Sequence, residues 1–163
     1  MGAASFLPMG ALSVALAASV ALLAPGAAHS APGADGAALY KRCAACHLPT
    51  GAGVPSAFPP LQTDFRTLAA KPEGRRYLAL AVLKGLSGPI TVEGKAYSGV
   101  MPAQGGMDDA AVAAVLTHVG TAVAKSGPAL RPFTAAEVAE AKEWGKALTP
   151  ARVAQLHAGA GGR

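Results

Sequence analysis

Two cysteines occur in the 163 residues, and they stand in the run Cys43-Ala44-Ala45-Cys46-His47. Two cysteines placed at random would be three apart with a following histidine about once in three thousand sequences. On a helix, residues three apart share a face. Both thiols can then add to the two vinyl groups along one edge of a haem, while His47 turns beneath the ring to meet the iron. Thioether formation uses both thiols and leaves no odd cysteine in an oxidising compartment. The alternatives explain less. A redox or structural disulfide has no need of His47, and a zinc site wants two further ligands nearby. Of the other histidines, His118 and His157 are far along the chain and His29 lies in an apolar leader.

Composition supports a cofactor without identifying it. Apolar residues make up 52% of the chain but aromatics only 5%, so small side chains supply most of the apolar count. Such a chain fills a core poorly by itself, and one large apolar group for it to wrap would remedy that. Lys and Arg number 14 against 9 Asp and Glu, a formal +5, which two haem propionates would reduce to roughly +3. The basic residues gather no further than the pairs Lys41-Arg42 and Arg75-Arg76. That dispersal argues against nucleic acid and leaves an acidic protein surface as the partner the excess suits.

No charged side chain precedes Asp35. An apolar stretch over 7–23, the break at Pro25-Gly26 and the small residues after it read as a signal peptide over 1–30. Cleavage after Ala28 and cleavage after Ser30 both satisfy the small-residue rule. The usual basic flank near Met1 is missing, so retention as a membrane anchor stays the alternative. Only with a retained anchor is a membrane a partner; otherwise the expected product is exported, periplasmic and soluble.

With this motif, residues 34–126 resemble the class I cytochromes c. The resemblance implies an all-α fold, three core helices around one covalently bound haem c, here with one or two extra C-terminal helices. In that family a proline carbonyl past the haem histidine fixes the imidazole, and a leucine packs on the ring. Phe58-Pro59-Pro60-Leu61 offers both, as Pro59 and Leu61. The sixth iron ligand in the family is usually a methionine in a loop. The run Tyr97-Ser98-Gly99-Val100-Met101-Pro102 resembles the family's haem strap and puts Met101 in that place. Met107, just before Asp108-Asp109, is the other candidate, and its expected task is packing at a helix start. The resemblance makes His118 a core residue packed on the first helix.

Periodicity supplies the rest. A first helix is expected over 35–46, with Gly36 and Tyr40 on the face of a close helix crossing. A loop follows over 48–62. A middle helix over 72–85 carries Tyr77, Leu80 and Leu83 as a buried stripe and ends at Gly85. Glu93-Gly94-Lys95 suggests a small hairpin. A helix over 108–124 turns Val112, Val115, Leu116 and Val119 inward. Beyond Pro128 the pattern resets into an extension over 127–158. There Thr134 to Glu137 reads as a capping box opening a helix to Lys146, and Thr149-Pro150 opens another. A disordered tail is expected over 159–163.

The function expected is one-electron transfer between redox proteins, from a dehydrogenase or respiratory chain to a terminal acceptor, with His47 and Met101 as axial ligands and no catalysis at the iron. A catalytic or gas-sensing haem would need an acid or base beside the strap. Gln104 is the only polar side chain close by in sequence, since Asp108 and Asp109 suit a helix start. A third role, holding a larger complex together, would fall to the extension.

Overall fold

The computed structural model describes Met1, Gly2 and residues 33–162. The chain clusters into two units, Met1–Ser30 and Ala31–Arg163, and the fold belongs to the second. The signal-peptide reading falls on residues outside those described. Among the described residues no helix is long and apolar enough to cross a membrane.

Helix α1 (Gly36–His47) begins at Asp35, whose Oδ1 accepts from the Ala37 and Ala38 amides at 3.0 and 3.1 Å. This cap satisfies two of the free amides every helix start leaves. Helix α1 crosses α4 (Asp109–His118), capped in turn by Asp108. A Cβ on Gly36 would collide with the Ala114 carbonyl, so only glycine permits this approach. Tyr40 fills the space beside it, its ring 5.5 Å from that of His118. The expected crossing appears here, and His118 packs on the first helix but is half-buried rather than in the core.

The last turn of the α4 segment, Val119–Val123, is wound as a π-helix, where the sequence suggested plain α-helix to 124. Local bonding explains the change. Thr121 donates from its hydroxyl to the Thr117 carbonyl at 2.8 Å, a bond that loosens helices. Arg66 then takes the Gly120 carbonyl at 2.7 Å, and the Ala124 amide reaches back to Val119.

Two helices separate α1 from the strap region. Helix α2 (Phe65–Ala69) is five residues long and has no side-chain cap, which is too short for a periodic signal. Helix α3 (Pro72–Lys84) has Pro at its first turn and Gly85 at its end, as expected. The stripe reading needs correcting. Leu83 is only half-buried, while Gly74, Arg75 and every residue over 77–82 are buried. The extension causes this, because α5 (Ala135–Trp144) and α6 (Pro150–Gly159) pack on α3 and close the faces a three-helix fold leaves open.

The two extra helices start as the sequence indicates. Thr134 and Glu137 form a reciprocal capping box, and Thr149 caps α6 through the Arg152 amide. Helix α5 ends at Trp144 rather than Lys146. The expected loose tail is also shorter, for Ala160 is buried and the Gly162 amide donates to the His157 carbonyl at 2.9 Å.

Two short antiparallel pairs complete the fold. Strands β2 (Ile90–Val92) and β3 (Lys95–Tyr97) make the expected hairpin. Its corner, Glu93-Gly94, has positive φ at both residues, the geometry that matches strand twist in tight hairpins. Strands β1 (Leu86–Ser87) and β4 (Val100–Met101) pair Leu86 with Met101.

Two ion pairs tie α5 to the core, Lys142 with Asp109 at 3.0 Å and, far more deeply buried, Arg75 with Glu137. The Arg75 side chain, 7% exposed, grips both oxygens of Glu137 at 2.8 and 2.9 Å. It also donates to the Arg131 and Pro132 carbonyls and stacks 3.8 Å over the Phe133 ring. The Arg75 bond is the main reason the Glu137 carboxyl is held down at about 2, against an ordinary 4.5. A depressed carboxylate stabilises the fold fully above its ordinary value and loses that contribution as pH falls through the folded value. Glu137→Gln should therefore cost about 3 kcal/mol near neutral pH. The gap between the two proteins should narrow as pH drops from about 4.5 towards 2, read by denaturant unfolding at each pH.

Candidate haem site

The C-terminal turn of α1 presents Cys43, Cys46 and His47 to a cleft with about 1320 Å³ of empty space, its open mouth included. The walls are largely apolar. Phe65, Leu68, Leu78 and Val82 line it from α2 and α3, and Val115 and Leu116 from α4. Such walls suit a large flat apolar group and would hold water poorly.

The loop after α1 exists to hold His47. Leu48 leaves the helix at φ 66, and the Tyr40 hydroxyl pins its carbonyl at 2.9 Å. The Gly53 amide then donates to the His47 carbonyl at 3.0 Å. A Cβ on Gly53 would run into the Phe58 and Pro59 backbone, so the chain can return only with glycine there. That return brings the Pro59 carbonyl 2.9 Å from His47 Nδ1. Nδ1–H donates to Pro59, which fixes the tautomer and leaves Nε2 as the free lone pair. Burial lowers the His47 pKa, an effect the Pro59 bond partly offsets; the shift favours the neutral imidazole, the form that ligates metal. Burial likewise raises the Cys43 thiol. Leu61 sits on the same cleft, its amide bonded to the Gly51 carbonyl.

The strap is built from the other side of the cleft's lining. Met101, in β4, reaches the cleft and is held by its pairing with Leu86. Gly85, at φ 74, lies so close beneath that a Cβ would strike the Met101 carbonyl. The Gln104 amide donates to the Val82 carbonyl at 2.9 Å and anchors the far end. Met107 is not among the cleft's lining residues and packs half-buried against the core. His118 is also outside the cleft, beside Tyr40.

One buried pair in the cleft wall escaped sequence reasoning. His157 of α6 stands 3.1 Å from Asp64, ring edge-on to Tyr77, and all three line the cleft. Asp64 and His157 are 93 positions apart, so no local pattern joins them. The one available signal was a histidine in register with Val153 and Ala154 on a face that proves buried.

Two thiols on one helix face, an oriented imidazole, a thioether and apolar walls are a donor set and cradle that fit a covalently held haem. Residues 33–122 match the sequence model of the family Cytochrome c. The chain is 46% identical over 122 residues to cytochrome c-552 of Thermus thermophilus, an alignment covering 74% of this chain and 92% of that protein. It is equally similar to a second cytochrome c-552 of the same species, of which it covers 81%. The chain therefore belongs to the cytochrome c family, as a class I c-type cytochrome that holds one haem c through Cys43 and Cys46 and carries single electrons.

Proposed function

We propose that this cytochrome is an exported, periplasmic carrier whose iron is held by His47 and Met101. The observation that carries the reading is the pairing of an imidazole with Nδ1 tied to Pro59 and a strapped methionine on one apolar cleft. When bound, the haem supplies a one-electron Fe(III)/Fe(II) couple, and thioether ligation places its potential fairly high. The chain's residues do the rest. Pro59 orients His47 and raises its basicity, Leu61 and the walls exclude water, and the β1–β4 pairing holds Met101. Gln104 donates its side-chain amide to the Pro102 carbonyl at 2.9 Å and so belongs to the strap rather than to a distal acid or base. A carrier thus fits better than a catalytic or sensing haem.

Electrons would leave where the cleft meets the surface beside the thioether cysteines. Val100 is 67% exposed there, and Leu48 and Val54 are exposed too. Arg42 lines the cleft there, Lys41 precedes it on α1, and both are exposed. An apolar centre brings two redox groups close while flanking charges steer approach. The partner is then a redox protein with an acidic rim, a dehydrogenase or respiratory component on one side and a terminal acceptor on the other. A membrane enters only if the leader is retained.

Ligation is tested by optical spectra. Met101→Ala should lose the long-wavelength sulfur-to-iron band, whereas Met107→Ala should keep it and cost roughly 2 kcal/mol of stability. The reverse pattern would move the strap to Met107. Gly85→Val should retain haem yet weaken the same band, because its side chain displaces the Met101 carbonyl and a valine resists positive φ. Docking is tested by Lys41→Glu with Arg42→Glu. This variant should be reduced severalfold more slowly at low salt, the defect fading as the screening length falls to ~8 Å at 0.15 M. Equal rates at every salt concentration would remove the pair from docking.

A further inference from the structure

A second concavity uses α3 as its wall. It holds about 1280 Å³ of empty space, its open mouth included, close to the 1320 Å³ of the haem cleft. The two share no lining residue. Helix α3 gives Tyr77, Leu78, Ala81 and Val82 to the cleft, and Pro72, Arg75, Arg76 and Ala79 to the groove. The facing wall comes from the extension, with Ala129, Ala141 and Trp144, beyond residue 122, where the family match ends. Five of the groove's lining residues are alanines, and short side chains meeting across a helix contact leave space that longer ones would fill.

The groove pairs an exposed aromatic face with unspent positive charge. Trp144 is the chain's single tryptophan, and it stands 52% exposed. The Arg76 guanidinium lies over it, 4.7 Å from the ring centroid. Stacking holds a guanidinium flat and leaves its in-plane N–H groups open. Among the described residues no carboxylate or carbonyl takes those groups, whereas neighbouring Arg75 spends its own on Glu137 and backbone carbonyls. Arg131 shares Glu137 with Arg75 and is itself exposed. The lining thus holds three arginines against Glu137 and Glu140, an excess of one positive charge. A carboxylate fits the Arg76 fork in two parallel bonds, and an apolar side chain beside it would cover the indole. Densely charged phosphate fits worse, because the exposed Glu140 carboxylate lies on the same lining. A flat membrane surface fits worse too, because the wall is concave.

We propose that this groove docks a segment of a partner protein in which an acidic side chain stands beside an apolar one. The carboxylate sits on the Arg76 fork, and the apolar side chain lies on Trp144 and the alanine floor. Because the groove and the haem cleft share no residue, a partner held here leaves the haem edge free. Such a tether turns a second encounter at the haem edge into an intramolecular one, with an effective concentration that a short flexible link sets in the millimolar range. The proposal does not depend on which residue is the sixth iron ligand.

The test uses reduced, nitrogen-15-labelled holoprotein, whose one tryptophan gives one indole N–H cross-peak. The probe is an acetylated, amidated hexapeptide of alternating leucine and glutamate. It should move the cross-peak saturably, with a Kd on the order of 1 mM for so short a segment, and added salt should weaken it. The matching leucine–glutamine peptide should bind about tenfold more weakly. Arg76→Gln should weaken the glutamate peptide about tenfold and leave the haem spectrum unchanged, while Arg76→Lys, which keeps the charge without the fork, should recover only part of the loss. No shift with the glutamate peptide would overturn the proposal, as would equal binding of the glutamine peptide or unchanged affinity in Arg76→Gln. A cross-peak that moves with protein concentration alone would give the groove to a second copy of the chain. One that moves with phosphatidylglycerol vesicles and not with the peptide would give it to a membrane. Either result would equally rule the proposal out.

Discussion

The contact between Gly36 and the Ala114 carbonyl sets the frame for everything else in the described structure. It lets α1 and α4 approach to backbone contact, which fixes where the end of α1 lies relative to Val115 and Leu116. Cys43, Cys46 and His47 sit on that end. A side chain at position 36 would tilt α1 and swing all three away from the apolar wall. The covalent geometry of the site therefore depends on a residue without a side chain, two turns from the first cysteine.

From that frame the chain closes the cleft twice over. The loop after α1 uses a positive-φ leucine and two crowded glycines to return one carbonyl, that of Pro59, to one nitrogen of His47. The strap is held by a two-residue strand pair, a glycine beneath it and the Gln104 amide at its far end. Neither segment could fold this way alone, because each lacks the length for its own hydrogen bonding. The core they lean on gives them their shape.

The extension changes what kind of core that is. With so few large side chains, the three helices of the family frame leave much of α3 open, and α5 and α6 cover it with Val138 and Val153, both fully buried. That arrangement buries the Arg75 charge, which is satisfied by Glu137, three carbonyls and an aromatic face. The same helices carry His157 to the cleft, so the extension both covers α3 and lines the cleft wall.

Local chemistry determined much of this from the sequence. The cysteine spacing named the cofactor, Asp35, Thr134 and Thr149 marked helix starts, and the Gly36–Tyr40 spacing marked the crossing, because each acts within one or two turns of chain. The resemblance placed Pro59, Leu61 and Met101, and the geometry puts all three on the cleft. What the sequence could not display were effects of distant residues meeting. Helix α2 packs on α3 and on the π turn, where Arg66 takes the Gly120 carbonyl 54 positions away. Most of α3 is buried because later helices cover it. Asp64, Tyr77 and His157 become one cluster only when the last helix docks, since hydrogen bonding is short-ranged in space and indifferent to separation along the chain.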